Sequence, residues 1–381
     1  MSLAPSPAAL ARAGAVLTVD LGALVANWRY LKLQAGGAET AAVVKADAYG
    51  LGAAQVAKAL VRAGCRSFFV AHLDEGIALR KAVPEARIFV LHGPNPDTEA
   101  DFAAAALTPV LNCMEQVAGW AAFARERGRP APAALQVDTG MTRLGLSRAE
   151  FDALRADGET MKALAPQLLM SHFACADAPR HPLNARQIAR FAEFARDLPG
   201  VAASLSASSG IFLGEAAHFG LVRPGIALYG GNPRPGHDNP MGRVVTLSAK
   251  VVEIQPIDRP QTIGYGATWA APGPGRLATV ALGYADGFLR AIGNHPDEHP
   301  VFAAVHDTWK ARLVGRISMD LTTFDISEVP EDRIRPGDTI DVIGKYASID
   351  TLADAGQTIS YELLTRLGPR LPRLYRNGDA S

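Results

Sequence analysis

Residues 42–50 read Ala-Val-Val-Lys-Ala-Asp-Ala-Tyr-Gly, a short apolar run that ends in a lysine. Small and β-branched residues followed by a glycine are typical of a buried strand that ends at a turn. A helical pattern, Ala53–Ala63, comes next. A buried strand followed by a helix is the unit from which parallel sheets are built.

This unit recurs up to about residue 230. Strands are predicted at Ala42–Lys45, Phe68–His72, Ile88–His92, Pro109–Asn112, Leu135–Asp138, Leu168–His172, Ser204–Ser208 and Leu221–Tyr229. Helices between them include Ala53–Ala63, Met114–Arg127, Arg148–Ala156 and Ala185–Leu198, where Ile188, Phe191 and Phe194 recur at helical spacing. Eight strands with intervening helices predict an α/β fold, a TIM-type (β/α)8 barrel.

The pattern changes after residue 240. The segment 232–240 is rich in proline and glycine and is typical of a linker. The β runs that follow have no helices between them: Val244–Ile257, Leu277–Leu282, Lys310–Val314, Leu321–Ile326 and Thr339–Ile343. We therefore expect a barrel over residues 10–240 and a mostly-β C-terminal domain over residues 241–376.

Composition restricts the possible functions. The 381 residues include 38 Lys+Arg and 38 Asp+Glu, so there is no basic surplus of the kind that nucleic-acid binders carry. The arginines 366, 370, 373 and 376 are interpreted as a solvated or subunit-facing surface. No apolar run is long enough for a membrane span, residues 1–19 lack a convincing signal peptide, and three cysteines make a poor disulfide framework. We expect a cytoplasmic protein without nucleic-acid or membrane partners.

Polar residues stand at the ends of six different predicted strands. They are Lys45, His72, His92, Asp138, His172 and Ser208. A barrel builds its active site from the carboxyl ends of its strands. Lys45 is the most informative, because burial would lower its pKa from about 10.4 and make the amine a nucleophile able to form a Schiff base. The alternative is a lysine that merely reaches solvent at the strand end.

Further motifs decide between these two interpretations. Residues 42–50 and the following segments, in this order, resemble alanine racemases: Asp138–Gly145, Ser171–Ala174, Arg223–Gly230, Gly264–Gly266, Ala281–Gly287, Gly315–Asp320 and Tyr361–Arg366. The resemblance spans roughly residues 15–376. Each string is short, but the ordered set is specific.

The resemblance implies a pyridoxal 5'-phosphate (PLP) enzyme with two acid–base residues. Lys45 would hold PLP covalently and move the α-proton on one face, and Tyr284 would do so on the other. Racemisation needs both, because one base on one side returns the same enantiomer. PLP makes the α-proton acidic, and His172 and Arg223 would support Tyr284, with Arg223 also at the pyridine nitrogen.

Other positions are implied to bind phosphate and substrate. Phosphate contacts of the family match Tyr49, Ser208, Gly225, Ile226 and Tyr361. Ser206 and Ser209 are rivals of Ser208. Arg143 resembles the arginine that meets the cofactor's phenolic oxygen and the substrate carboxylate, and the N–H of Met319 resembles a second carboxylate contact. Tyr284 and Met319 reach the site from the second subunit in this family, so a homodimer with composite active sites is implied.

The chain departs from the family at a few positions. Asp47 and Leu51 stand where relatives commonly have asparagine and histidine. Gln136 stands where many relatives have a carbamylated lysine that orients the substrate-binding arginine. We predict that Gln136, or an anion bound nearby, orients Arg143 instead. His72 and His92 have no assigned role and are expected to be structural, and no metal-site spacing is found.

The leading interpretation is interconversion of L-alanine and D-alanine, either to supply peptidoglycan or in alanine catabolism. Two alternatives remain at this point: a racemase of serine or another amino acid on the same scaffold, and a PLP-binding protein without turnover. Tyr361 and the region of Tyr265 are expected to narrow the pocket, which favours alanine. The alternative without turnover predicts loss of the second base, yet Tyr284 is present.

Overall fold

The described chain begins with a helix, a strand and a second helix. The computed structural model describes residues 6–294 and 298–378. Helix α1 (Pro7–Arg12) leads to strand β1 (Ala15–Asp20) and helix α2 (Leu21–Gln34). The Oδ1 atom of Asp20 accepts a hydrogen bond of 2.9 Å from the N–H of Ala23. This N-cap satisfies a free N–H of the first turn and fixes where α2 begins.

A closed set of parallel strands follows. These strands are β2 (Glu39–Thr40), β3 (Ala42–Val43), β4 (Ser67–Val70), β5 (Arg87–Val90), β6 (Thr108–Leu111), β7 (Ala134–Gln136), β8 (Leu168–Met170), β9 (Ala202–Ser204) and β10 (Leu221–Val222). Strands β3 to β9 form a seven-stranded parallel sheet in chain order, and β10 pairs with β2. A parallel bridge between Ala207 and Arg223 joins β10 to the segment after β9. The sheet closes on itself, which confirms the predicted barrel.

Helices cover the outside of this barrel. They are α4 (Ala53–Arg62), α5 (Leu73–Ala82), α6 (Glu99–Ala104), α7 (Met114–Glu126), α8 (Arg148–Ala156), α9 (Gly158–Leu164) and α10 (Pro182–Arg196), whereas α3 (Lys45–Tyr49) is a single turn that follows β3. In α10, Phe191 and Phe194 are buried and Ile188 packs against the core. The apolar stripe predicted from the sequence is therefore the face that α10 turns to the barrel.

The second domain is a curved sheet with two short helices. Its elements are β11 (Val245–Ile257), β12 (Gln261–Ile263), β13 (Trp269–Ala271), β14 (Gly275–Val280), β15 (Phe302–Val305), β16 (Trp309–Leu313), β17 (Thr322–Asp325), β18 (Thr339–Ile343), α11 (Ile349–Ala355), α12 (Ser360–Arg366) and β19 (Arg373–Arg376). The large sheet has the order β14-β17-β16-β15-β18-β11-β1-β19, and β14 also pairs with β11. The expected mostly-β domain is confirmed.

Strand β1 belongs to this second sheet. It pairs antiparallel with β11 (Ala15 opposite Ala249) and parallel with β19 (Leu17 opposite Arg373). The predicted barrel range 10–240 includes β1, although β1 pairs with strands of the second sheet, so the chain passes from that sheet to the barrel after β1 and returns to it after the barrel. The boundary between residues 240 and 241 stays a prediction. In the described part of the chain, every helix is too short or too polar to span a bilayer.

Candidate functional site

Lys45 stands at the start of a left-handed turn. Strand β3 ends at Val43, two residues earlier than predicted, and Lys45 is the first residue of α3. Residues 46–49 all have positive φ, between 51° and 57°, and Gly50 follows at 82°. Left-handed backbone costs roughly 1–2 kcal/mol for each non-glycine residue. Contacts from the surroundings must therefore hold this turn.

Two carboxylates provide such contacts. Oε1 of Glu75, in the first turn of α5, accepts a hydrogen bond of 2.7 Å from the N–H of Ala46, and its Oε2 accepts one of 2.7 Å from Ala71. Oδ1 of Asp47 accepts a bond of 2.7 Å from the N–H of Ala53, where α4 begins. Asp47, one of the positions at which the chain departs from the family, therefore satisfies the first N–H of α4 from two residues after the lysine.

Burial is the main influence on the Lys45 amine. It lowers the pKa of Lys45, the nearby charge of Arg143 lowers it further, and Glu75 opposes both. A lower pKa leaves more of the amine neutral near pH 7, and the neutral amine is the form that attacks a carbonyl group. The structure thus gives Lys45 the electrostatics that its position predicted.

Arg223 is the centre of a buried hydrogen-bond network. It is only 3% exposed. Its Nη1 donates to the carbonyl oxygen of Ser204 at 2.9 Å and to the hydroxyl of the same residue. Its Nη2 donates to the carbonyl oxygen of Ser171 at 2.7 Å, with longer contacts to that of Leu205 and to Nδ1 of His172, both at 3.4 Å. Burial lowers the pKa of Arg223 to about 9, so the guanidinium stays charged at neutral pH.

His172 is held neutral by its surroundings. Burial lowers its pKa to about 3, and the charges of Arg223, Arg143 and Lys45 contribute in that order. Because arginine has no acceptor, Nδ1 of His172 must accept from Arg223, and the proton of the neutral ring is on Nε2. The ring therefore presents an N–H donor on its other side.

A compact polar cradle lies at the end of β10. The hydroxyl of Ser208 accepts hydrogen bonds from the N–H groups of Gly225 (2.9 Å) and Ala227 (3.3 Å). A Cβ atom at Gly225 would lie 2.3 Å from the hydroxyl of Tyr49, so only glycine allows this close approach. Hydroxyl groups and backbone N–H groups of this kind are suitable donors for a phosphate.

Tyr361 extends the cradle from the second domain. It lies in α12, and its ring centroid is 5.8 Å from that of Tyr49. Burial raises the pKa of Tyr361 to about 12, so it is a hydrogen-bond donor at neutral pH. Of the two rival serines, Ser206 donates to the carbonyl oxygen of Ala217 at 2.7 Å, and Ser209 begins a short 3-10 turn.

Arg143 lies on a loop that Asp138 organises. Oδ1 of Asp138 accepts hydrogen bonds from three successive N–H groups, at Gly140 (2.9 Å), Met141 (3.0 Å) and Thr142 (3.1 Å). The guanidinium of Arg143 is exposed, and its charge acts on Lys45 and His172. A cation in this position suits a carboxylate ligand.

Gln136 is buried beside this loop. Its Nε2 donates to the carbonyl oxygen of Leu144 at 3.4 Å. Among the described residues, no hydrogen bond joins the Gln136 side chain to the guanidinium of Arg143. Gln136 therefore contacts the backbone next to Arg143, and whether it orients the arginine stays a prediction.

Tyr284 and Met319 lie together on the second domain. The N–H of Tyr284 donates to the carbonyl oxygen of Ser318 at 3.1 Å, and that of Ala285 to Met319 at 2.9 Å. Tyr284 is 41% and Met319 55% exposed. Tyr265 is also exposed. Within residues 6–294 and 298–378 of a single chain, neither Tyr284 nor Met319 forms a hydrogen bond with Lys45.

His72 and His92 form a pair near Lys45. Their ring centroids are 4.3 Å apart and the rings are almost perpendicular. Burial, followed by the charges of His72 and Lys45, lowers the pKa of His92. The part of the chain that the structure describes contains no group of three His, Cys, Asp or Glu side chains that could hold a metal ion.

Several residues that support the site were not predicted. Ser171 and Ser204 accept from Arg223 through carbonyl oxygens, which any residue has, and Ser204 also through its hydroxyl, so residue type alone does not reveal them. Glu75, after β4, acts on the turn that follows the neighbouring strand β3, and its local signal is its place in the first turn of a helix. Arg370 bridges Asp286 and Asp320, with distances of 3.2 Å and 2.9 Å. These ion pairs were not part of the interpretation of the arginines as a solvated or subunit-facing surface.

Comparison with known proteins covers both domains. The family model "Alanine racemase, N-terminal domain" matches residues 19–233, and "Alanine racemase, C-terminal domain" matches residues 244–375. A protein named alanine racemase from Rhodospirillum rubrum is 52% identical over 96% of each chain. A catabolic alanine racemase from Mesorhizobium japonicum is 48% identical, covering 98% of this chain and 96% of its own.

A solved structure gives the same result. Alanine racemase from Bartonella henselae, described with covalently bound pyridoxal phosphate, superposes with a TM-score of 0.87 at 35% identity, covering 96% of this chain and all of its own. The fold of both domains is thus shared over nearly the whole length. The chain belongs to the alanine racemase family.

Proposed function

We propose that this protein interconverts L-alanine and D-alanine with PLP bound at the barrel mouth. The observation that carries the proposal is the group formed by the half-buried Lys45 and His172 and the buried Arg223 at the ends of three strands, with the polar cradle of Ser208 and Gly225 beside it. The cradle fits the cofactor because the absence of a Cβ atom at Gly225 lets the Tyr49 hydroxyl approach the backbone beside Ser208, which brings hydroxyl and N–H donors together.

Lys45 and the Arg223 network would hold the two ends of the cofactor ring. Lys45 provides the amine for covalent attachment. The Nη atoms of Arg223 bond to Ser171, Ser204 and His172, while its Nε–H has no bond among the described residues. We assign this Nε–H to the pyridine nitrogen. PLP, when bound, withdraws electrons from the α-carbon and so acidifies its proton.

The phosphate would bind in the cradle. Its ligands are the hydroxyls of Tyr49, Ser208 and Tyr361 and the N–H groups of Gly225 and Ile226. Ser208 is preferred to Ser206 because Ser208 already contacts Gly225, whereas the Ser206 hydroxyl is used by Ala217.

Two residues would move the proton. The neutral Lys45 amine accepts or returns it on one face of the α-carbon. Tyr284 of the second subunit does so on the opposite face, and the Nε2–H of His172 stabilises its phenolate. Retention of a proton carrier on each face is what distinguishes a racemase from a protein that only binds PLP.

Arg143 and Met319 would bind the substrate carboxylate. The guanidinium of Arg143 supplies the positive charge that attracts the carboxylate. The N–H of Met319, from the second subunit, donates a hydrogen bond that orients it. The rings of Tyr361 and Tyr265 limit the room for the side chain, which favours alanine over larger amino acids. Serine remains the closest rival, because it adds only a hydroxyl group.

The exposed face that carries Tyr284 and Met319 supports a homodimer with composite sites. Residues needed for the chemistry stand in solvent on a single chain, and a two-fold partner would bring them to Lys45. A cytoplasmic location and the absence of nucleic-acid and membrane partners belong to the same proposal.

The experiment is an assay of the purified protein on L-alanine, L-serine and L-lysine, with and without added PLP. We expect PLP-dependent racemisation that is fastest with alanine. Tyr284→Phe should bind PLP and scarcely racemise, and Lys45→Ala should lose covalent attachment as well. Full activity of Tyr284→Phe would show that the second base is assigned wrongly.

The cellular role is tested by deleting the gene. A requirement for D-alanine in the medium indicates supply of peptidoglycan, and failure to grow on alanine as carbon source indicates catabolism. Growth unaffected in both media would contradict both roles.

A further inference from the structure

The segment 366–376 contacts both parts of the site. Its four arginines looked like a surface patch in the sequence, yet Arg370 and Arg373 contact residues that are distant in the chain. We propose that Arg373 and Arg370 are positioning residues, Arg373 for the Lys45 turn and Arg370 for the segment that carries Tyr284. The inference rests on the proposed composite site, because it assigns each arginine to a different active site of the dimer.

Arg373 is bound to backbone carbonyl groups next to the Lys45 turn. Its Nε donates to the carbonyl oxygen of Gly50 at 3.2 Å. Its Nη atoms donate to the carbonyl oxygens of Gly368 (2.6 Å), Leu371 (2.6 Å) and Leu367 (2.7 Å). The guanidinium thus joins the end of the left-handed turn to the end of α12.

The neighbouring residues reinforce this contact. The hydroxyl of Tyr375 donates to the carbonyl oxygen of Leu51 at 3.0 Å. A Cβ atom at Gly50 would lie 3.0 Å from the carbonyl oxygen of Leu364, and one at Gly52 would lie 2.0 Å from the Tyr375 hydroxyl. Because the turn is costly by itself, these contacts are what keep Lys45 aimed into the barrel mouth.

Arg370 joins the two loops that present Tyr284 and Met319. Its Nε lies 3.2 Å from Oδ1 of the buried Asp286, and its Nη1 lies 2.9 Å from Oδ1 of Asp320. The other oxygen of Asp286 accepts a bond of 2.9 Å from the N–H of Gly283, the residue before Tyr284. One guanidinium therefore holds the Tyr284 loop and the Met319 loop at a fixed distance.

Backbone contacts make the same connection. The N–H of Gly368 donates to the carbonyl oxygen of Asp286 at 2.8 Å. A Cβ atom at Gly287 would overlap the carbonyl oxygen of Arg366, at 1.9 Å. The segment 366–376 therefore contacts the Tyr284 loop at one end and the Lys45 turn at the other.

The dimer gives this arrangement a consequence. Lys45 serves the site of its own subunit, whereas Tyr284 serves the site of the partner. Loss of Arg373 should therefore damage the site that uses the same subunit's lysine. Loss of Arg370 should damage the site that borrows the same subunit's tyrosine.

The single variants are Arg373→Ala and Arg370→Ala. For Arg373→Ala we expect a rise in the dissociation constant of PLP of about ten-fold, followed by absorbance titration of the apoprotein, as for loss of a hydrogen bond to a charged donor. For Arg370→Ala we expect PLP binding within about two-fold of normal and kcat lowered about ten-fold or more, since small misplacement of a catalytic group is costly. Arg370→Lys should recover part of kcat by keeping one ion pair.

The matched control is Arg366→Ala. Arg366 lies in the same segment and its side chain pairs only with Glu362, at 3.4 Å, on the exposed face of α12. We expect unchanged kcat, KM and PLP affinity. Thermal midpoints and dimer mass are measured for every variant; if Arg370→Ala or Arg373→Ala does not fold, the lysine variants at the same positions are used.

Hybrid dimers, purified through two different tags, then separate the two roles. The reference hybrid of Lys45→Ala with Tyr284→Phe keeps one complete site and should show about half of the normal activity. Arg370→Ala should be rescued to the same level by a Lys45→Ala partner and not by a Tyr284→Phe partner. Arg373→Ala should show the reverse pattern.

The outcomes are distinguishable. An inactive reference hybrid would reject the composite site, and with it the proposed function as stated. An active reference hybrid with both arginine variants rescued equally by both partners would overturn the inference alone. So would an effect of Arg366→Ala as large as that of Arg370→Ala.

Discussion

The barrel mouth and the face of the second domain handle their functional residues in opposite ways. At the mouth, Arg223 and Ser208 are nearly inaccessible and His172 is held neutral by burial and neighbouring charge. On the second domain, Tyr284 and Met319 stand exposed, although the backbone beneath them is firmly bonded. Of the proposed site, the half at the mouth is buried within a single chain, and the half on the second domain is exposed, with its backbone held by hydrogen bonds.

The comparison teaches where substitutions should act. A change at the mouth removes hydrogen bonds from the interior and should lower the stability of the chain itself. A change on the exposed face should leave the chain stable and act only on the reaction. Variants on the two sides of this division should therefore differ in their free energy of unfolding.

Arg223→Ala should cost about 3–5 kcal/mol of the free energy of unfolding, because it removes a buried guanidinium and takes the donor away from the carbonyl oxygens of Ser171 and Leu205. Tyr284→Phe, which removes an exposed hydroxyl, should change it by less than about 0.5 kcal/mol. Urea unfolding of both apoproteins, at the same protein concentration, measures the difference. Equal stability of the two variants would break the comparison.

His172 should make stability depend on pH. Its folded-state pKa is about 3, against an ordinary value of 6.5. Below pH 6.5 the unfolded chain binds a proton that the folded chain does not, so stability falls as the pH drops toward 3. At pH 4.5 the loss relative to pH 7 is about 2–3 kcal/mol for this one group.

The control for this pH effect is His172→Gln, whose side-chain oxygen can still accept from Arg223. Carboxylates elsewhere contribute equally to both proteins, so the difference between their urea unfolding curves isolates position 172. If wild type and His172→Gln lose the same free energy between pH 7 and pH 4.5, the histidine is not held neutral in the folded state.

These two predictions concern residues that the sequence identified, and the reason is physical. The strands of the barrel are buried on both faces, so each appears as a short apolar run, and functional side chains follow where the run ends. His172 and Ser208 were found in this way. Arg223 came from the resemblance, since the predicted strand Leu221–Tyr229 extended past it, whereas β10 ends at Val222 and Arg223 follows directly.

Other features could not be predicted, because they depend on contacts between distant segments. Nothing in Ala46–Tyr49 favours left-handed backbone; Glu75 and Arg373, 29 and 323 residues away from their partners in the turn, stabilise it. Strand β1 was missed as part of the second sheet because its pattern does not name its partners, β11 and β19. Arg370 and Arg373 looked solvated because their contacts with Asp286, Asp320 and Gly50 join segments that are distant in the sequence.

Gly225→Ala tests the cradle at the barrel mouth. The new methyl group would lie 2.3 Å from the Tyr49 hydroxyl and 3.5 Å from Cβ of Val43. Tyr49 must move, so we expect the dissociation constant of PLP to rise about ten-fold, or 1.4 kcal/mol. Titration of the apoprotein with PLP measures it. Gly158→Ala is the control, since nothing lies within 4 Å of its Cβ position; equal effects would reject the cradle.

Gln136→Ala is the smallest change and tests the edge of the mouth. It removes the 3.4 Å bond to Leu144 and loosens the loop that carries Arg143. We expect KM for alanine to rise about three-fold, as for one weak hydrogen bond, with kcat and PLP affinity unchanged because neither depends on the carboxylate contact.

Steady-state assays in chloride and in gluconate at equal ionic strength separate the two predicted ways of orienting Arg143. A higher KM in both salts favours Gln136, and an unchanged KM with activity that depends on chloride favours a bound anion. If neither the variant nor the salt alters KM, Asp138 and its three N–H contacts alone are sufficient to place the arginine.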